Sequence, residues 1–341
     1  MIKILYAIQG TGNGHISRAI EIIPELQKRG EVDILVSGFS SDIELPFEVK
    51  YKFKGLSFVF GQKGGINYFQ TWSKNRVRRF YKEVKKLPVN DYDLVISDFE
   101  PVSSWACFLA EKTCIGLSNQ AAVLAPNAPR AEDDDKLGRL VLNYYAPVTA
   151  AYGFHFQRYN NSIYTPIIRK EIRQLKTKDD GHYTVYLPSY SDNKIINRLS
   201  YFSDVRWEVF SKHTKKAYIK NNVLIRPIES KHFMESLTTC TGILCGAGFA
   251  TPSEALYLKK KLMVIPMKSQ YEQQCNAEAL KQMGVAVMKS LKKKHRPVLQ
   301  EWLNSDKIVK VDYPDNVSEI IAEIFRNHAP GYRLRKIGKA A

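Results

Sequence analysis

The stretch Thr241–Gly284 reads TGILCGAGFATPSEALYLKKKLMVIPMKSQYEQQCNAEALKQMG. Its apolar runs predict a short strand at Gly242–Leu244 and a second at Leu262–Ile265, with a helix opening at Ser253-Glu254 between them. The turn Cys245-Gly246-Ala247-Gly248-Phe249 joins the first strand to that helix. Glycines there let backbone N–H groups approach an anion with no Cβ in the way. The helix, beginning near Pro252, aims unsatisfied N–H groups and the positive end of its dipole at the same place, so phosphate is the natural occupant. One turn further on, Glu254 is placed to accept hydrogen bonds from sugar hydroxyls attached to that phosphate. After the second strand, Glu272, Gln273 and Asn276 bring acceptors and amide donors together within five residues. Such a set suits a polyhydroxylated ligand.

The beginning of the chain repeats the same order of elements. Ile2–Ile8 carries one charge and predicts a buried strand, Gln9-Gly10-Thr11-Gly12-Asn13-Gly14-His15 a loop, and Ile16–Arg29 a helix with Ile16, Ala19, Ile20, Ile23 and Leu26 at helical spacing. Strand, glycine loop and helix make the unit of a Rossmann-like α/β domain. A dinucleotide site requires GxGxxG and an acid on the next strand. Here Gly10, Gly12 and Gly14 alternate, and the strand Val32–Val36 ends in Ser37-Gly38, which disfavours an NAD oxidoreductase. His15 falls at a helix start, a position that suits a general base and equally suits a surface histidine beside a cap.

Further along, Asp93–Ser97 predicts a strand that ends at Asp98-Phe99-Glu100-Pro101, before a helix from Val102 to Ala110. Ligands of open α/β sheets bind at the carboxyl ends of strands, which ranks Asp98 and then Glu100 above other acids. Capping of the following helix is the alternative explanation of an acid there. Thr113–Leu117 predicts another strand, and Ser118-Asn119-Gln120 at its end offers polar groups to a second substrate. The acids Glu132–Asp135 precede a helix expected at Leu137–Ala150, and the helix dipole explains them without a metal. Between Arg158 and Gly181 strand periodicity lapses and charge rises, marking a domain boundary. Strands resume at Tyr183–Leu187, Val205–Val209 and Val223–Arg226, and Val317–Phe325 is an amphipathic packing segment.

The length of 341 residues fits two domains, and 44% hydrophobic with 25% charged residues is ordinary for a globular protein. Five cysteines (Cys107, Cys114, Cys240, Cys245, Cys275) lack metal spacing and predict buried thiols rather than a disulfide or a zinc site. Met1–Ile8 runs straight into a glycine turn, so no secretory leader is expected, and no apolar run reaches the ~18–20 residues of a membrane span. These features predict a cytoplasmic protein. The net charge of +17 predicts attraction to a polyanion. No nucleic-acid motif accompanies it, and the basic, aromatic stretch Gly61–Leu87 suits either a solvated face or the inner surface of an anionic membrane.

The order Gly246-x-Gly248, Ser253-Glu254, a strand ending at Pro266, then Glu272-Gln273-x-x-Asn276-Ala277 resembles the donor-binding signature of the GT-B nucleotide-sugar glycosyltransferases. More narrowly, it resembles family 28, which contains the peptidoglycan N-acetylglucosaminyltransferase, and the UDP-glycosyltransferases. GTGNGH at 10–15, followed by Arg18-Ala19, and LVISDFEPVSSWACFLA at 94–110 are also similar to segments of these enzymes. The resemblance implies two Rossmann-like domains facing across a cleft: 1–165 on the acceptor side, a linker at 166–181, a nucleotide-sugar-binding domain at 182–316, and 317–341 packing back on the first domain before a basic tail. It implies His15 as the base that deprotonates an acceptor hydroxyl and Asp98 as its orienting carboxylate. Gly12, Asn13 and Gly14 would face the donor, Gly246, Gly248 and Thr251 would hold the diphosphate, and Ser189 would contact a phosphate. Glu254 would hold the ribose, Glu272 and Gln273 the sugar hydroxyls, and Asn276 would shape the helix start.

No cofactor or metal is implied, the nucleotide sugar being a co-substrate. The implied reaction is inverting transfer of a hexose-type sugar from UDP to an acceptor hydroxyl, lipid-linked or anionic, as in cell-envelope glycans. A nucleotide-sugar hydrolase or epimerase on the same scaffold, or a non-catalytic binding subunit, are the alternatives. One departure concerns the donor: Gly246 stands where related enzymes often carry His or Arg.

Overall fold

The computed structural model describes residues 1–38, 44–56, 74–131, 135–268 and 270–330. The segment 57–73, most of the acids at 132–135 and the tail from 331 lie outside the described residues. Strands β1 (Lys3–Gln9), β2 (Glu31–Ser37), β3 (Tyr51–Phe53), β4 (Leu94–Asp98), β5 (Ile115–Ser118), β6 (Ala150–Phe154) and β7 (Ile163–Tyr164) form one parallel sheet in the order β3-β2-β1-β4-β5-β6-β7. The second sheet contains β8 (His182–Tyr186), β9 (Arg206–Ser211), β10 (Tyr218–Lys220), β11 (Val223–Pro227), β12 (Gly242–Gly246), β13 (Lys261–Ile265) and β14 (Ala286–Val287), ordered β10-β11-β9-β8-β12-β13-β14. Within it β10 runs antiparallel to β11 and the other pairs are parallel.

The parallel strands read as apolar runs because both faces are covered. In β1, Ile4, Tyr6 and Ile8 face the helices Asn13–Gln27 and Val317–His328, meeting Ile16, Ile22, Ile320, Ile324 and Phe325. Leu5 and Ala7 point the other way, to a core with Val84 and Val102 from the helices Lys74–Lys86 and Pro101–Leu109. The second sheet is built likewise, with Ile243 and Cys245 against the helices Ala250–Tyr257 and Tyr271–Gln282, and Leu244 and Met263 against Asp192–Leu199 and Arg296–Asn304. The last helix therefore crosses back to the first domain, where Tyr152 Oη meets His328 Nε2 at 3.0 Å and accepts from Asn327 Nδ2 at 3.0 Å.

Three sequence expectations shift. The helix after the glycine turn begins at Ala250, with Pro252 inside its first turn, where a missing N–H is tolerated. The helix expected to run to Ala150 ends at Tyr145, and β6 and β7 fill stretches that showed no strand periodicity. β6 reads AAYGF, a composition of low strand propensity, held by its pairing with β5 and β7.

Order reverses between β1 and β4 in the first sheet and between β8 and β12 in the second, so each sheet opens a crevice at the carboxyl ends of those pairs. Beside the domain junction, His155 is wholly buried against Phe156, Tyr159 and Phe249. Its Nδ1 accepts from the Phe156 backbone N–H at 3.0 Å, and burial holds its pKa down from 6.5 to about 3. A histidine kept neutral when folded gives its full stability above pH 6.5 and loses it as pH falls towards 3. Unfolding free energy should drop over that window with a slope approaching about 1.4 kcal/mol per pH unit from this group. Denaturant titrations from pH 7 to 4 should show a shallower slope in His155→Phe.

Candidate active site

The loop after β1 and the end of β4 lie side by side, with Ile8 in register with Asp98. Gly12, at φ 103, turns the chain into the helix that starts at Asn13, and this places His15 in the first turn. The Asp98 carboxylate is fully buried and binds two partners: His15 Nδ1 lies 2.8 Å from Oδ1, and Arg18 donates from Nη2 to Oδ1 at 2.5 Å and from Nε to Oδ2 at 3.0 Å. Burial alone would raise the Asp98 pKa, but the charges of Arg18 and His15 outweigh it and hold the carboxyl below its usual value. Arg18 Nη2 also lies 3.0 Å from His15 Nδ1, so an acceptor carboxylate and a donor guanidinium both meet this nitrogen and hold the ring in place. The tautomer that donates from Nδ1 to Asp98 has Nε2 as its acceptor.

Glu100 takes the other role open to an acid here. It caps the following helix, accepting from Val102 N at 2.7 Å and Ser103 N at 2.6 Å, and so is removed as a candidate for orienting His15. Phe99 between the two acids has φ 54, a left-handed turn that lets Asp98 face His15 while Glu100 faces the helix. Arg18 was not marked in a role by the sequence, yet three residues after His15 it necessarily shares that helix face.

Across the junction, a cavity of about 90 Å³ sits at the carboxyl ends of β8 and β12. Ser189, Gly246, Gly248, Thr251 and Gln273 line it together with Met267. The first turn of Ala250–Tyr257 has no side-chain cap and no acid, and neither has that of Asn13–Gln27. The two helix starts approach each other, since a Cβ on Gly14 would lie 3.9 Å from the Ala250 Cβ. A Cβ on Gly248 would meet nothing within 4 Å, so packing does not require glycine there. A larger cavity of about 240 Å³ opens at the edge strand β14, near Leu256, Val285, Trp302 and Lys307, and shares no lining residue with this site.

Other expected ligand groups are engaged within the protein. Glu254 receives a bidentate pair from Arg169, at 2.7 Å from Nε and 3.0 Å from Nη2, and Arg169 also binds Glu171. Arg169 stands in the chain between the sheets, and nothing in the sequence pointed to this partnership. Glu272 accepts from Asn119 Nδ2 at 2.6 Å and Gln120 Nε2 at 3.1 Å, so these amides turn to the helix Tyr271–Gln282 of the second domain instead of standing free for an acceptor. Gln273 Oε1 accepts from Met267 N at 3.0 Å. Asn276 is not at a helix start: the helix begins at Tyr271, and Asn276, fully buried in its middle, donates to Ala247 O at 3.2 Å and ties it to the glycine turn.

The model of glycosyl transferase family 1 matches residues 2–305. The chain belongs to this family. Its structure is similar to a UDP-glucosyltransferase from Polygonum tinctorium capable of glucosylating indoxyl (TM-score 0.58, 12% identity, covering 96% of this chain and 94% of that one). It is also similar to MurG of Acinetobacter baumannii (TM-score 0.56, 12% identity, 96% and 100% covered) and to the glycosyltransferase VinC in complex with DTDP (TM-score 0.50, 12% identity, 95% and 99% covered). At such identity the likeness is one of fold, and the fold is GT-B. Comparison by sequence with curated proteins finds no match.

In this glycosyltransferase the pair Asp98–Arg18 is buried, so neutralising one partner strands the other. Asp98→Asn should lower unfolding free energy by about 3–5 kcal/mol. Arg18→Met with Asp98→Asn together should cost less than the sum of the single changes, as a double-mutant cycle in urea will show.

Proposed function

We propose that this glycosyltransferase moves a hexose-type sugar from a UDP or dTDP donor to an acceptor hydroxyl, with inversion and with His15 as base. The observation that carries this reading is the His15–Asp98 contact beside two converging, uncapped helix starts. His15 Nε2 takes the proton of the acceptor hydroxyl, whose oxygen attacks the anomeric carbon. The bond from that carbon to the diphosphate oxygen breaks, and the nucleoside diphosphate leaves with its charge met by backbone amides at the helix ends. A single displacement inverts the anomeric centre. The Gly246–Gly248 turn and Thr251 receive the diphosphate, with Ser189 lining the same cavity. Glu254, held by Arg169, retains lone pairs for ribose hydroxyls.

Thermal unfolding with UDP, dTDP and their sugars tests the donor site, because a ligand at 100 times its Kd stabilises by about 2.7 kcal/mol. His15→Gln should keep that stabilisation while losing transfer by about 100-fold or more. Gly248→Ala should leave the unliganded protein as stable as the wild type and weaken nucleotide binding. A Gly248→Ala protein that binds nucleotides normally would count against a phosphate at the turn.

A patch on the first domain favours an anionic membrane surface as a partner. Val77, Tyr81, Phe108 and Leu109 are exposed on the packed helices Lys74–Lys86 and Pro101–Leu109, and Arg78, Lys82, Lys85 and Lys86 are exposed beside them. Apolar side chains interspersed with cations suit an anionic interface. The protein should co-sediment with phosphatidylglycerol vesicles but not with phosphatidylcholine vesicles, and Tyr81→Ser with Lys82→Glu and Lys85→Glu should abolish this. Equal partition to both vesicle types would refute the electrostatic part.

A further inference from the structure

The cavity of about 240 Å³ at the edge strand β14 takes no part in the proposed transfer, yet its lining is selective. Leu256, Leu262, Val285, Val287, Val298 and Trp302 make apolar walls. Glu301 and Lys307 also line it; both are exposed, and no ion pair joins them to each other or to another described residue. Lys307 Nζ lies over Gly284, where a Cβ would come within 2.7 Å of it, so the missing side chain leaves room for the ammonium at this wall. β14 is the last strand of its sheet. Ala286 and Met288 turn their backbone groups to β13, with Met288 N donating to Val264 O at 2.9 Å. The N–H and C=O of Val287, between them, therefore point out from the open edge.

These features narrow the ligand. A cavity of ~150 Å³ takes up benzene, so this one has room for a ring or a branched chain with a short head group. An apolar monoacid would match Lys307 and place its carboxylate in the field of Glu301, and an apolar amine would meet the reverse conflict at Lys307. A sugar or a nucleotide would leave the walls unused. A free apolar amino acid carries side chain, carboxylate and ammonium on one carbon. Its carboxylate can accept from Val287 N–H and its ammonium donate to Val287 C=O, as well as meeting Lys307 and Glu301.

The position of the cavity gives binding a consequence. Leu256, near the end of the helix Ala250–Tyr257, lines it, while Thr251 at the start of that helix lines the donor cavity. Leu262 in β13 lines it, while Met267, just beyond the end of β13, lines the donor cavity. One helix and one strand thus reach both cavities from opposite ends. We infer that this cavity is an effector site for a free apolar amino acid, aromatic or branched, and that its occupancy stiffens the elements that receive the nucleotide. The effect on the nucleotide rests on the reading of the second domain as a donor site; the amino-acid site does not.

The test is calorimetric titration of the full chain with L-phenylalanine, L-leucine, L-phenylalanine amide and 3-phenylpropionate. The two amino acids should bind, and the amide and the propionate, each lacking one charge, should bind about tenfold more weakly than phenylalanine. Glu301→Gln should make phenylalanine and 3-phenylpropionate bind alike, and Lys307→Gln should do so for phenylalanine and its amide; both side chains are exposed, so both variants should fold. Saturating phenylalanine should tighten UDP about fivefold, and UDP should tighten phenylalanine by the same factor. Absence of binding, equal binding of the amide or the propionate, or UDP affinity unmoved by bound phenylalanine would overturn the inference. A protein that binds phenylalanine in this way but not UDP, dTDP or their sugars would overturn the donor reading and leave the amino-acid site standing.

Discussion

A carboxylate buried as completely as that of Asp98 must be neutralised, and the geometry around it follows from how this is done. Arg18 supplies the charge and the parallel pair of hydrogen bonds, and His15 shares Oδ1 with Arg18 Nη2. Because both partners come from one helix turn, the constraint locks the helix Asn13–Gln27 to the end of β4. The lock sets the loop of Gly12 and Gly14 against the start of the opposite helix at Ala250. Arg18 also lies over the Phe154 ring at 5.5 Å, so a third strand end, that of β6, is drawn into the same arrangement.

Both strand–turn–helix units were legible because glycine, apolar period and helix start agree locally at 2–29 and at 241–257. The meeting of His15 and Asp98 was legible only through resemblance to known enzymes, since 83 residues separate them. Arg18 lay within reach of the same logic, sharing a helix face with His15. Arg169 with Glu254 did not, nor did Gln120 with Glu272: the first joins the segment between the sheets to the second domain, the second joins the two domains, and no period or spacing in a sequence encodes such a pairing. Glu100 and Asp98 illustrate the limit at close range. Two acids two residues apart were both open to capping the helix, and the resemblance alone ranked Asp98 first; the left-handed turn at Phe99 that parts their directions is a conformation its residue type argues against.

The contacts at the domain junction mix polar and apolar groups. Glu272 with its two amides, Arg169 with Glu254, and the Lys170 N–H on Glu21 at 3.0 Å are polar. Val123 and Leu142 of the first domain pack on Tyr271 and Cys275 of the second, and Phe249 packs on both cores and against Phe156 at 5.2 Å between ring centres. Polar contacts exchange readily with water or ligand hydroxyls, whereas the sheets and their covering helices do not. The molecule thus concentrates its exchangeable bonds where the proposed substrates meet.

The return of the helix Val317–His328 to the first domain also orders events in time. During synthesis the sheet formed by β1 to β7 leaves the ribosome well before that helix. One face of β1, at Ile4, Tyr6 and Ile8, lacks part of its cover until Ile320, Ile324 and Phe325 arrive. The half of the molecule made first is therefore completed last. Its apolar face stays partly uncovered while the whole second domain is translated, which makes the early half the one more open to association with other chains.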